Sequence, residues 1–94
     1  MHGEYKVPGG KLVVVDCTVH DEQIASIEVT GDFFLYPDDA LESITQALTG
    51  LPAMSTEPEI AARIRAATGP DVTFLGFSPE AVATALTRAM RGEQ

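Results

Sequence analysis

Leu12-Val13-Val14-Val15-Asp16-Cys17-Thr18-Val19-His20, then Asp21-Glu22-Gln23, then Ile24-Ala25-Ser26-Ile27-Glu28-Val29-Thr30-Gly31-Asp32-Phe33-Phe34-Leu35 decide the fold. Residues 11–20 alternate at period two. Val13, Val15, Cys17 and Val19 fall on one face, and Leu12, Val14, Asp16, Thr18 and His20 on the other. β-Branched side chains dominate the run, as a pleated surface prefers. His20-Asp21-Glu22-Gln23 is a polar break of hairpin length. From Ile24 to Leu35 the alternation resumes, with Ala25, Ile27, Val29, Gly31, Phe33 and Leu35 on one face. Ile24, Ser26, Glu28, Thr30, Asp32 and Phe34 take the other. The expectation is a long antiparallel hairpin with one apolar face, which helices must cover, and one mixed face, a candidate docking face through Leu12, Val14, Ile24 and Phe34. Gly31-Asp32 interrupts the second strand, and a glycine there marks a bulge or a close backbone approach. Phe33 and Phe34 then point to opposite faces, so one is expected to anchor the core.

Downstream, the period changes to that of helices. Pro37 opens the first, Asp38 and Asp39 suit its positive N-terminal end, and Leu41, Ile44, Leu48 and Leu51 make its buried stripe before Gly50 ends it. Thr56-Glu57-Pro58-Glu59 spells a capping box. Ile60, Ala61, Ile64 and Ala67 face inward from the second helix, and Gly69-Pro70 stops it. Val72 to Phe77 reads as a short third strand. Ser78-Pro79-Glu80 is an N-cap followed by proline, and Val82, Ala85, Leu86, Ala89 and Met90 line the last helix. Gly92-Glu93-Gln94 reads as a frayed end. The order ββααβα predicts one α+β two-layer domain over residues 1–94, a three-stranded, largely antiparallel sheet with three helices.

Upstream stands Lys6-Val7-Pro8-Gly9-Gly10-Lys11, two lysines flanking a Pro-Gly-Gly turn. Pro8 fixes its own φ, and Gly9 and Gly10 admit conformations closed to other residues. Such a turn either leads plainly into the strand or presents consecutive N–H groups as an anion-holding concavity, to which Lys6 and Lys11 add charge. It lacks the spacing of a phosphate-binding P-loop, since Leu12 follows Lys11.

Composition narrows the function. With 94 residues the chain can bury a core but has little left for a deep private pocket. That favours a binding or accessory role over a complete enzyme. Six basic residues against fourteen acidic ones give a formal charge of −8, which repels nucleic acid and anionic lipid. Cys17 is the single cysteine, so no intrachain disulfide forms, and its place on the apolar face suits a small hydrophobe. His2, His20 and Cys17 match no zinc spacing, and no metal site is expected. Asp32, set among apolar neighbours, is either a bulge cap, a shifted acid or a lysine partner. The first residues lack the basic and apolar regions of a secretion signal, and residence in the cytoplasm is expected.

Glu4-Tyr5-Lys6-Val7-Pro8-Gly9-Gly10-Lys11-Leu12-Val13, Val29-Thr30-Gly31-Asp32-Phe33-Phe34, the helix end Leu48-Thr49-Gly50 and the segment Gly76-Phe77-Ser78-Pro79-Glu80 together resemble the C-terminal accessory domain of lipoate–protein ligases. The likeness runs over roughly residues 4–91, and the K-x-P-G-G-K and G-D-F-F pair at this separation carries most of it. In that family the domain is either fused behind a catalytic domain or a separate small subunit; a start at Met1 close before Glu4 looks like the separate form. The resemblance implies a non-catalytic subunit that forms a heterodimer with the catalytic subunit. It serves the ATP-dependent activation of lipoate to lipoyl-AMP before transfer to a lysine of acceptor domains. ATP, magnesium and lipoate are then held by the catalytic partner, not by this chain alone. The resemblance points to Lys6, Pro8, Gly9, Gly10 and Lys11 as the loop facing partner or nucleotide, and to Gly31, Asp32, Phe33 and Phe34 as structural or interface residues. The alternative is a stand-alone small-ligand or nucleotide-binding module using the Lys6–Lys11 loop.

Overall fold

In the computed structural model, which describes residues 1–92, the central hairpin is built as its alternation requires. Strands β2 (Leu12–His20) and β3 (Gln23–Gly31) are joined by Asp21 and Glu22, both at positive φ (51° and 64°), the geometry of a tight two-residue hairpin turn. Val13, Val15 and Cys17 are buried from β2. Burial raises the pKa of the Cys17 thiol, which behaves as the apolar filler its position suggests.

The phase of β3 departs from the simple alternation. Thr18 pairs with Ser26 but Val19 pairs with Ile24, so Ala25 is an extra residue, a bulge. The bulge turns Ile24 onto the core side, where it is 1 % exposed, and leaves Ala25 on the surface. The assignment of Ile24 to the mixed face is therefore corrected: one inserted residue exchanges the faces of everything before it.

The three-stranded antiparallel sheet takes its third strand from the N-terminus. Strand β1 (His2–Lys6) pairs with β2, giving the order β1-β2-β3. After Gly31 the chain leaves this sheet. Strand β4 (Phe34–Tyr36) pairs antiparallel with β5 (Thr73–Leu75) in a second, two-stranded ladder, so the expected third strand near 72–77 exists but joins the other sheet. A Cβ on Gly31 would collide with the Leu12 carbonyl oxygen and come within 2.9 Å of the Phe33 ring, which is the close approach the glycine permits.

Three helices cover the apolar face. Helix α1 (Ala40–Leu48) begins three residues after Pro37, whose carbonyl accepts from the Ala40 N–H at 3.0 Å; Ile44 and Leu48 are fully buried, with Leu51 just beyond. Helix α2 (Glu57–Thr68) is capped by Thr56, whose Oγ1 accepts from the Glu59 N–H at 3.3 Å; Ile60, Ala61 and Ile64 point inward, but Ala67 is exposed. Helix α3 (Pro79–Arg91) is capped by Ser78, accepting from the Ala81 N–H at 3.2 Å, and buries Val82, Ala85, Leu86 and Ala89. Helix α3 lies across β1 and β2, α1 lies on β3, and α2 packs against both helices. The element order is ββββααβα, an α+β fold. Gly92 closes α3 in the left-handed conformation, and of the expected frayed end residues 93–94 lie outside the described residues.

Small residues set the distance between sheet and helix. A Cβ on Gly3 would overlap the Ala85 oxygen and the Ala89 nitrogen, so β1 and α3 meet backbone to backbone. Arg88 secures the same contact. Its guanidinium donates to the Glu4 carbonyl at 3.0 Å and lies 5.1 Å over the Tyr5 ring.

Candidate partner-docking surface

The Lys6–Lys11 turn is held from within. The Val7 N–H donates to the Lys11 carbonyl (3.1 Å) and the Gly10 N–H to the Val7 carbonyl (2.8 Å). The Lys11 N–H donates to the Gly76 carbonyl (2.8 Å). Pro8 has no N–H, so three of the four donors between positions 7 and 11 are already bonded, and the row of free donors that an anion nest needs is not there. The two lysines differ. Lys6 Nζ folds back to donate to the carbonyls of Val7 (3.3 Å) and Gly10 (2.5 Å), closing the turn, whereas Lys11 runs along Gly76 and is exposed.

Asp32 also acts on the backbone. Its Oδ1 accepts from the Leu12 N–H at 3.1 Å, tying the exit of β3 to the start of β2. This is the capping role, and neither lysine of the turn is its partner among the described residues.

The two phenylalanines separate as their opposite directions demand. Phe33 packs on the core and stacks on Phe77, with centroids 3.9 Å apart; Phe74 meets Phe77 edge-on at 5.1 Å. Phe34 is 59 % exposed and stands opposite Leu75 in the β4–β5 ladder, with Leu75 48 % exposed. Tyr36, two residues on and 52 % exposed, faces the same way. Leu35 and its partner Phe74 point to the core from the other side. Sequence reasoning found Phe34 but missed Tyr36 and Leu75, because Tyr36 fell between the strand read to Leu35 and the helix read from Pro37, and Leu75 was read in a separate short strand. The sequence held only the two short runs of large apolar residues, Phe34-Leu35-Tyr36 and Phe74-Leu75; that they pair is shown by the fold.

By contrast, the outer face of the main sheet is largely polar. His2 sits between Asp16 (Nδ1 to Oδ1, 2.6 Å) and Glu4 (Nε2 to Oε2, 2.7 Å), and these hydrogen bonds raise its pKa, Glu4 first. Thr18 and Ser26 share a hydroxyl bond at 2.7 Å. Leu12 and Val14 are only half-buried there, without Ile24. An open groove between α2 and α3, lined by Pro58, Ala61 and Ala62, is edged by the Arg65–Glu80 ion pair. Among the described residues no group of three His, Cys, Asp or Glu side chains is placed to hold a metal ion. No helix is long and apolar enough to cross a membrane among those residues.

No family model matches the chain, and no curated protein matches it. Among solved structures, it superposes on a chain of an archaeal lipoylation system from Thermoplasma acidophilum, described as a bi-partite lipoate protein ligase and its E2 lipoyl domain. The TM-score is 0.71 at 27 % identity, over 92 % of this chain and 97 % of that one. The chain is thus similar, over nearly its whole length, to a chain of about the same size from a lipoylation system, as its sequence motifs indicate.

Proposed function

We propose that this chain is the non-catalytic accessory subunit of a two-component lipoate–protein ligase, at work in the cytoplasm. It forms a heterodimer with the catalytic subunit and supports the ATP-dependent activation of lipoate to lipoyl-AMP, ahead of transfer to an acceptor-domain lysine. The structural match, over 92 % of this chain, to a chain of a bi-partite ligase system is the observation that carries this reading. The catalytic subunit holds lipoate, ATP and magnesium. This chain's own share is positional. Forming an acyl adenylate builds charge on phosphate oxygens, and fixed donors in a water-excluded site stabilise that charge best. A small rigid domain seated beside the pocket excludes water and orders its loops.

Among the described residues, Lys11 is the charged side chain of the turn that makes no hydrogen bond and is open to meet an anion. Lys6 is spent on the turn's own carbonyls, and three of the turn's four backbone N–H groups are already bonded. This arrangement favours an accessory role over an independent nucleotide site, in which the backbone would have to cradle the phosphates.

Size-exclusion chromatography and lipoyl-AMP synthesis on the chain mixed with its cognate catalytic subunit test the reading. A heterodimer with restored adenylate synthesis is expected. Binding of ATP, AMP or lipoate by the isolated chain in calorimetry, with no complex on mixing, would replace it by the stand-alone module.

A further inference from the structure

We infer that the outer face of the β4–β5 ladder, centred on Phe34, Tyr36 and Leu75, is the surface that seats on the catalytic subunit; the inference rests on the accessory-subunit reading. Five large apolar side chains are exposed among the described residues, and three of them stand on this one face. Phe34 and Leu75 are direct cross-strand partners, so their side chains form one continuous patch, which Tyr36 extends by one pleat. Single exposed apolar residues are ordinary, but a contiguous set marks an interaction surface. Phenylalanine and tyrosine are also the residues that interface centres concentrate.

The patch is prepared from behind. Three residues per strand make a ladder too small to hold itself in water. It is fixed instead by Leu35 and Phe74 against the core, by the Phe33–Phe77 stack, and by the Lys11–Gly76 hydrogen bond directly after Leu75. A surface held so rigidly loses little freedom on binding.

Charge then states what fits it. The Lys6–Lys11 turn, bonded to Gly76, borders the patch with cations, and Asp38 shares an open surface hollow with Phe33 and Phe34. The complementary surface is a protein with an apolar centre, carboxylates opposite Lys11 and a basic group opposite Asp38. The net charge of −8 turns away nucleic acid and anionic membrane as occupants.

Calorimetric titration of the whole chain into its catalytic subunit tests the inference, comparing wild type, the Phe34→Ser/Leu75→Ser double variant and Met54→Ser, whose side chain is 91 % exposed elsewhere. The double variant is expected to bind at least about tenfold more weakly, and Met54→Ser as wild type. Deuterium exchange on the wild-type complex, which needs no variant to fold, should show protection gained at residues 33–36 and 73–76. Undiminished binding by the double variant overturns the inference. So does a complex in which those segments exchange as in the free chain, or a self-associated form of this chain that buries the patch and excludes the catalytic subunit. If wild type itself fails to bind, the accessory-subunit reading falls and the docking face with it; if wild type binds and the face is unprotected, only the docking face falls.

Discussion

The ring of Phe33 lies on the ring of Phe77, their planes 23° apart, and this stack joins the exit of the main sheet to the start of α3. Phe77 is 7 % exposed and receives Phe74 edge-on as well, so it holds both strands of the small ladder to the core. Phe77→Ala should lower stability by about 3–5 kcal/mol in urea unfolding, through lost burial and the cavity left behind. Phe33→Ala, at a partly buried site, should cost less. Phe34→Ala should leave the unfolding midpoint nearly unchanged, which separates the core anchor from its exposed neighbour.

Gly3 should prove the least replaceable residue of β1. A Cβ there would stand 2.9 Å from the Ala89 Cα and closer still to the helix backbone, which cannot give way as a flexible side chain does. Gly3→Ala should therefore cost about 1–3 kcal/mol by overpacking, although it adds a single methyl group. Thermal unfolding of the variant checks this, and a neutral result would mean that α3 slides freely over the sheet.

The main hairpin and the helix starts were legible because each rests on local chemistry. The β2 alternation places Val13, Val15 and Cys17, and the Thr56 and Ser78 caps are spelled in the sequence and formed in the fold. Three features depend on contacts between distant segments and leave weaker local marks. The bulge at Ala25 follows from how β3 meets β2, and no residue in Ile24-Ala25-Ser26 announces it. Strand β1 has little apolar alternation of its own, because Gly3 is buried by closeness to α3 rather than by hydrophobicity. The docking face needs Phe34 and Leu75 side by side, and nothing local predicts that pairing. The loop lysines were visible, but their unequal duties were not, since those depend on where each ammonium group finds carbonyl oxygens.

Lys6 and Lys11 should respond differently to replacement by methionine. Lys6→Met removes the donor that closes the turn, and a loss of roughly 0.5–1.5 kcal/mol in urea unfolding is expected, with weakened binding as a secondary effect. Lys11→Met should leave stability unaltered within about 0.5 kcal/mol but slow lipoyl-AMP formation in the reconstituted pair. Single-turnover kinetics of adenylate formation measure this directly. Unchanged activation kinetics in the Lys6→Met/Lys11→Met double variant would remove the turn from the activation step.

His2 gives the fold a pH dependence whose direction follows from its partners. Hydrogen bonds to Glu4 and Asp16 raise its pKa above the ordinary 6.5, so the folded protein binds the proton more tightly than the unfolded chain does. The resulting stabilisation is fully present below about 6.5 and is lost as pH rises through the higher folded value. The difference in unfolding midpoint between wild type and His2→Gln should thus be largest in mildly acidic buffer and should shrink above neutrality. The site is open to water, so the effect is small and weakens further with added salt. Titration of the His2 ring by proton NMR should give a midpoint above 6.5 in the wild type and a lower one in Glu4→Gln, the larger contributor. An unshifted midpoint would show that the imidazole does not hold both carboxylates in solution.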